Sequence, residues 1–478
     1  MAIDTPTTAP PLAAQPARMT TRDKLILMVL CAAQFIVALD FSILNVALPV
    51  LGDDLGMGQA DLQWAVTAFA LPSGGFLLLF GRIADLYGRR RLFLTGLALF
   101  ALASVLATFA WNPAAFLAGR ALQGLGAAVI VPTGMSLLTT TFAEGPQRER
   151  ALGISGTLLS LGFTVGMVLG GVMTDFLGWR STMGLLALAG AGVLAVAPGL
   201  LTESRHSERP RMDLPGAVTV TGGLLALIYA LSTAAQRGFG GADVITGLVA
   251  GALLLAGFVV VESRAAEPLV SLPMLRRRTV AWGNLAGLIT FSMMSTVVFL
   301  LTLYLQEVLE LSAFRTGLVF GVQGVFAAVA GMTAPKVIAR FGTRGTLVTG
   351  LLVQAVCTAA LLGLRTDSGA WLALAAAAVA CVGHLWAIVS YGVTATSGLP
   401  DGEQGLATGL VTSSQQVGIT IGIPLLSALA SAHITALRSD GASFASATLG
   451  GIRLGLGVDA AVVAVTAVLV AFGLRRAR

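Results

Sequence analysis

The sequence predicts an all-α integral membrane protein of 14 transmembrane helices arranged 6+2+6, with both termini cytoplasmic. Three observations predict it. The first is composition: of 478 residues 56% are hydrophobic and 11% charged, with a mean hydropathy of +0.87, more apolar surface than a soluble core can hide. The second is a series of apolar runs, each near the roughly 20 residues a helix needs to cross a bilayer, separated by charge or turn residues. The third is an internal repeat at an offset of eight helices. RALGISGTLLSLGFTVGMVLGG from Arg150 lines up with GLATGLVTSSQQVGITIGIPLL from Gly405, and ADLYGRRRLFLTGLA from Ala84 with IARFGTRGTLVTGLL from Ile338.

Residues 1–24, rich in Pro, Ala and Thr and without a small-residue cleavage site, read as a disordered cytoplasmic tail and not a signal peptide. Residues 25–202 form a first six-helix domain with spans predicted at 25–50, 62–84, 92–110, 113–142, 150–176 and 181–202. Residues 203–278 are an inserted segment, with spans at 214–235 and 244–262 between two Pro- and charge-marked linkers, Glu203–Gly216 and Glu262–Arg278. Residues 279–474 form the second six-helix domain, with spans at 279–306, 314–338, 346–365, 370–398, 405–435 and 454–474, and 475–478 are a cytoplasmic tail.

Orientation follows from GRIADLYGRRR, Gly81–Arg91, a polar turn with four arginines joining two apolar runs. Basic residues concentrate in loops left on the cytoplasmic side. With this turn inside, 22 of the 29 Lys and Arg fall in inside segments and 6 in outside ones, while Arg120 lies within a span. The net charge of +6 is thus topological and does not point to nucleic acid. The bilayer of the cell (inner) membrane is the expected environment, for a multi-pass monomer.

Catalytic signals are missing from the sequence. There is no GxxxxGK loop, HExxH, paired-cysteine site or nucleophile triad, so neither an ATP-driven pump nor an enzyme is expected, and no metal or cofactor. Cys31, Cys357 and Cys381 lie in apolar runs and read as packing residues. Energy must then come from an ion gradient, where one charge crossing a potential is worth about 2.3 kcal/mol per 100 mV.

In the polar turn, Gly81 and Gly88 permit a tight reversal and close helix approach. Asp85 suits a helix N-terminus, and Arg82, Arg89 and Arg90 suit a carboxylate or a helix C-terminus. Such a cluster is a candidate gating latch; the plainer reading is that its arginines only set orientation. Asp40 lies about 22 Å along the first span at 1.5 Å per residue, where an ionised carboxylate is costly and proton exchange becomes useful. A permanently paired Asp40 is the alternative. Arg120, with Gln123 and Gly124 about one turn away, needs partners: an acid, an anionic substrate, or a structural clamp.

These stretches resemble a known family. GRIADLYGRRR resembles the loop signature of the major facilitator superfamily, and FIVALDFSILNVALPVL, Phe35–Leu51, is similar to the first-helix signature of its fourteen-helix drug:proton antiporters. LAGRALQGLGAA, Leu117–Ala128, is similar to the fourth-helix signature, and LYLQEVLELSAFRTGL, Leu303–Leu318, carries the resemblance into the second half. In GMVLGG, Gly166–Gly171, Met167 stands where the fifth-helix antiporter signature has proline. The resemblance implies the major facilitator fold and proton-coupled export of amphipathic drugs or antibiotics by alternating access. It implies proton coupling through Asp40 and Arg120, and a glycine stripe, Gly162, Gly166, Gly170 and Gly171, between the halves. A proton-coupled importer, a narrow metabolite exporter, and a non-transporting receptor or scaffold remain alternatives.

An uncharged polar and aromatic set softened by Met suits an amphipathic small molecule. The candidates are Asn45, Gln123, Asn284, Met293, Gln323, Trp386, Tyr391, Gln415 and Gln416. His384 reads as a packing residue, and Asp459 and Glu307 as solvated acids near span ends.

Overall fold

The computed structural model describes residues 19–142, 146–203, 213–265, 268–270, 272–367, 369–399 and 401–475, and among them every regular element is a helix. A bilayer core offers no water to peptide groups, and a helix satisfies them within one segment. The first half comprises α1 (Thr21–Leu55), α2 (Gln59–Gly75), α3 (Leu77–Tyr87), α4 (Arg89–Thr108), α5 (Pro113–Thr141), α6 (Pro146–Leu177) and α7 (Trp179–Leu200). A middle pair follows, α8 (Leu214–Arg237) and α9 (Ala242–Glu262), then one turn, α10 (Leu272–Leu275). The second half holds α11 (Arg278–Leu303), α12 (Ala313–Ala360), α13 (Trp371–Thr396), α14 (Asp401–Ser439) and α15 (Phe444–Gly473). Helix starts are written locally: Thr20 and Asp23 close a capping box on α1, and Asn112 caps α5 ahead of Pro113 by accepting from Ala115 N at 2.8 Å.

Twelve described helices are long and apolar enough to cross a membrane, thirteen with a bent pair counted as one span. That pair corrects the straight span expected at 62–84: α2 and α3 meet at 43°. Pro72 brings no N–H to the ladder and Gly74 and Gly75 follow it, so the helix is weakest there. The long α12 is likewise interrupted, at Gly342 with φ 72° and ψ 164°. Gly88, between α3 and α4, has φ 107°. The two glycines hold matched places in the internal repeat, and both need a backbone that a Cβ would disfavour.

In the first half α1 packs on α6 and α7, α4 on α5 and α7, and α2 on α5. In the second, α11 packs on α13, α14 and α15, and α12 on α13 and α15. Across the halves α6 meets α12 and α2 meets α14, while α8 lies against both α2 and α14. The middle pair therefore straddles one seam of the two-domain body.

Candidate functional site

Asp40 and Arg120 meet. Arg120 Nη1 donates to Asp40 Oδ1 at 2.6 Å, and the two side chains are 1% and 0% exposed respectively. The guanidinium also donates to Gln123 Oε1 at 2.9 Å and Ala65 O at 3.2 Å, and lies 4.6 Å from the Phe69 ring centroid. Gln123 Nε2 passes the network to Ser104 Oγ at 2.8 Å. Gly124 lets this happen, since a Cβ there would come 2.8 Å from Pro72 Cγ at the bend of α2. The result is a charge pair bonded across α1, α2, α4 and α5 inside the first half, with Asp40 Oδ2 left unpartnered among the described residues. Asp40 faces this network and does not border the cavities described next.

Three adjoining cavities follow the seam between the halves. The first, about 180 Å³, is bordered by Phe41 and Asn45 of α1, Met167 of α6, Gln323 of α12, His384 of α13 and Gln415 of α14. The second, about 70 Å³, shares Phe41, Phe163 and Gln415 with it and adds Gln34 and Gln416. The third, about 300 Å³, shares Val131, Met135 and Thr412 with the second and reaches Gly81, Arg82 and Pro268 at the arginine-rich end.

The seam is closed at the opposite end. Phe314 N donates to Asp175 Oδ2 at 2.9 Å, Gln306 Nε2 to Val46 O at 3.0 Å, and Phe176 packs edge-on against Phe314 at 6.0 Å. A Cβ on Gly317 would come 2.7 Å from Met167 O and one on Gly321 2.9 Å from Val168 Cγ2. Toward the arginine-rich end, a Cβ on Gly153 or Gly156 of α6, Gly331 of α12 or Gly409 of α14 would meet nothing within 4 Å. The halves thus splay from a tight end to an open one.

This geometry corrects the glycine stripe. Gly162, Gly166 and Gly170 sit four apart on one face, and that face packs on α1 within the same half, against Phe35 O, Leu39 O and Ile43 O. Only Gly171, about 100° further round, meets the other half, at Ala313 and Phe314. The other glycines that let the halves approach are Gly317, Gly321 and Gly324 of α12, against α6, and Gly74 of α2, against Thr420 of α14. Their small-residue spacing is legible in the sequence, but nothing there says which face meets which helix.

In the polar turn, the carboxylate at the start of α4 comes from Glu203, which accepts from Arg90 N at 3.2 Å and lies 3.8 Å from Arg91 Nε. An anion at that helix N-terminus is favoured. The side chain of Asp85 lies outside the described ones. Arg90 Nη2 donates to Pro198 O at the end of α7 (2.8 Å), Arg89 is buried, and a Cβ on Gly81 would come 3.6 Å from Pro132 Cβ. Arg82 Nη2 reaches the linker after α9, donating to Pro268 O at 3.4 Å. Glu262 holds the same linker by accepting from Leu269 N and Val270 N at 3.2 and 3.0 Å.

Of the expected substrate residues, Asn45, Gln323, Gln415 and Gln416 border the cavities. Five do not, and these are corrected. Gln123 is held by Arg120; Asn284 accepts from Ser414 Oγ at 2.9 Å, tying α11 to α14. Met293, Trp386 and Tyr391 turn into apolar clusters, Tyr391 against Gly287 and Phe291, while Met294 faces the cavity in place of Met293. His384 borders the first cavity, and Asp459 is fully buried with neither carboxylate oxygen partnered among the described residues. α15 begins at Phe444, ten residues before the predicted 454, so Asp459 falls at mid-helix and not near a span end. Glu307, in a π-turn (Tyr304–Val308) that extends α11, is half-buried.

Two repeated helical halves around a shared cavity, closed at one end and open at the other, define a membrane transporter and not an enzyme. The chain belongs to the Major Facilitator Superfamily, whose family model matches residues 30–423. It is a multi-pass protein of the cell membrane. It is 39% identical over 411 residues to the cephamycin export protein CmcT of Amycolatopsis lactamdurans, covering 84% of this chain and 83% of that one. It is 35% identical to the puromycin resistance protein pur8 of Streptomyces alboniger (89% and 85% covered), and 32% identical to the tetracenomycin C resistance and export protein of Streptomyces glaucescens (85% and 76%). Among solved structures, the POT family transporter PepTSo superposes with a TM-score of 0.70 at 14% identity, covering 95% of this chain and 99% of that one. The human organic anion transporter MFSD10 gives 0.63 at 16%, covering 95% and 100%.

Proposed function

We propose that this protein exports an amphipathic antibiotic-type molecule from the cytoplasm in exchange for protons, by alternating access. The observation that carries the reading is the cavity between the halves, open toward the arginine-rich end and closed at the other, beside the buried Asp40–Arg120 pair. By the positive-inside rule the arginine-rich end is cytoplasmic, so the arrangement is inward-facing. Counting the two arms of α12 on either side of Gly342 separately, and α2 with α3 as one bent span, supports fourteen spans with both termini in the cytoplasm. Asp40 is the proton carrier of this reading: its ion pair with Arg120 holds the charged form, and loading a proton frees the guanidinium to re-pair within its network. Arg82 and Glu262, by holding the linker after α9 at the cytoplasmic mouth, act with Gly81–Arg90 as the latch on the inward state.

The test is drug accumulation in a pump-deleted host. Expression is expected to lower the accumulation of exported compounds several-fold, and an uncoupler to abolish the difference; accumulation that rises with expression would instead mark an importer. Relatives named for cephamycin, puromycin and tetracenomycin C, one compound each, favour a second reading, a narrow exporter of one metabolite. A substrate panel in the same host separates the two.

The splayed seam gives a further expected result. Gly331→Ala fills open space in this arrangement and borders none of the three cavities, so substrate binding from the cytoplasmic side should change less than about twofold, within the ±0.5 kcal/mol of a contact-free substitution. Turnover should fall, because the added methyl enters the seam when that end closes; unchanged turnover would count against closure there.

A further inference from the structure

Hydrogen-bond accounting around the first cavity fixes the tautomer of His384. Thr290 Oγ1 lies 2.7 Å from Gln354 Oε1 and 3.0 Å from His384 Nδ1. Gln354 presents its amide nitrogen to the Thr290 carbonyl at 3.5 Å, so the group facing the hydroxyl is its carbonyl oxygen, which only accepts. Thr290 has one proton and gives it to Gln354. Toward His384 it can then only accept, so Nδ1 carries the hydrogen and Nε2 carries a lone pair. Phe291 packs edge-on to the ring at 5.2 Å and holds its plane. Nε2 has no protein partner among the described residues, and the ring borders the cavity.

Other polar residues bordering the same cavity are fixed with the same sense. Asn45 gives its Nδ2 hydrogen to Phe41 O at 2.7 Å, leaving Oδ1 unpartnered on a side chain 1% exposed. Ser295 gives its proton to Ser292 O at 2.9 Å, so its oxygen too can only accept further bonds. Gln323 Oε1 is buried and unpartnered, and Gln415 adds an amide that offers both senses. Among the described residues no carboxylate or guanidinium borders this cavity.

We propose that the cavity recognises its substrate as a hydrogen-bond donor, an amine or ammonium N–H in an otherwise apolar molecule, with His384 Nε2 as the selecting acceptor. This rests on the exporter reading and narrows it. A molecule lacking the donor would leave a lone pair desolvated and unpaired, a larger penalty than the bond's own net worth. The apolar walls, Phe41, Phe163, Phe291 and Met294, take the body of either molecule.

The experiment uses the purified full chain and two fluorescent cations of equal, permanent charge, 9-amino-10-methylacridinium and its 9-dimethylamino analogue, in which methylation of the ring nitrogen leaves the exocyclic amine of the first as the sole N–H donor. Wild type is expected to bind the amino dye about five- to 150-fold more tightly, the range set by leaving one buried acceptor unpaired. His384→Ala should bring the amino dye down to the affinity of the dimethyl dye, and His384→Gln, which keeps an acceptor, should restore part of the preference. Nitrogen-15 NMR of histidine-labelled protein, with His384→Gln to assign the signal, should show the Nδ1–H tautomer. An Nε2–H tautomer, equal binding of the two dyes to wild type, or a preference unchanged in His384→Ala overturns the donor assignment while leaving the exporter reading in place. No saturable binding of either dye overturns both.

Discussion

Arg120→Ala is expected to lower stability by about 3–5 kcal/mol, because it leaves the Asp40 carboxylate buried with no counter-charge. The same substitution removes the groups that Gln123 Oε1 and Ala65 O accept from, so a four-helix network loses its hub. Purified protein should melt well below wild type, and cells should show little export. The double variant Asp40→Asn/Arg120→Met should recover most of the melting temperature, since no isolated charge remains, yet should not recover export. Asp40→Asn alone should bind substrate and fail to couple it to a pH gradient in vesicles. Wild-type stability in Arg120→Ala would refute the pairing; proton-driven export in Asp40→Asn would refute the carrier role and leave the pairing as a structural clamp.

Gly171→Leu is expected to stop export by another route. Its position touches Ala313 and Phe314, with Phe314 Cα only 3.0 Å from where a Cβ would stand. A leucine there wedges α6 from α12 at the closed end. Overpacking costs about 1–3 kcal/mol, and a penalty confined to the closed arrangement shifts its population by about five- to 150-fold. Cys381, which borders the first cavity, is a built-in reporter. In a background with Cys31→Ser and Cys357→Ser, a membrane-impermeant maleimide added outside cells should label Cys381 faster in Gly171→Leu than in the parent, which opens outward only transiently. Labelling unchanged by the leucine would show that this contact does not seal the cavity.

Much of this architecture is legible from local signals, because each is a property of a short segment. Apolar run length, the repeat that matches Gly88 with Gly342, and the rarity of a charge inside a span all survive without knowing any neighbour. They lead to Asp40 and Arg120 as singular residues. They do not give the rotation of each helix about its axis, and that rotation separates Gln123, held by Arg120, from Gln323, at the cavity. It also separates Met293, in the core, from Met294, at the cavity wall. Glu203 was hidden for a different reason: it lies 113 residues from the backbone N–H of Arg90 that it accepts from, and nothing in a linker's composition names such a partner.

The sequence alone determined that the chain crosses a membrane many times, that stretches of its first half recur in its second, and that an acid and a base stand out from apolar surroundings. These follow from hydropathy and periodicity, which act along the chain. The tertiary structure decided that the acid and base are partners at 2.6 Å, that the glycine stripe of α6 faces α1, and that the glycines of α12 face the seam. It also turned His384 from filler into the acceptor at the cavity wall. Those depend on the angle at which one helix meets another. Only close packing of the whole bundle sets that angle.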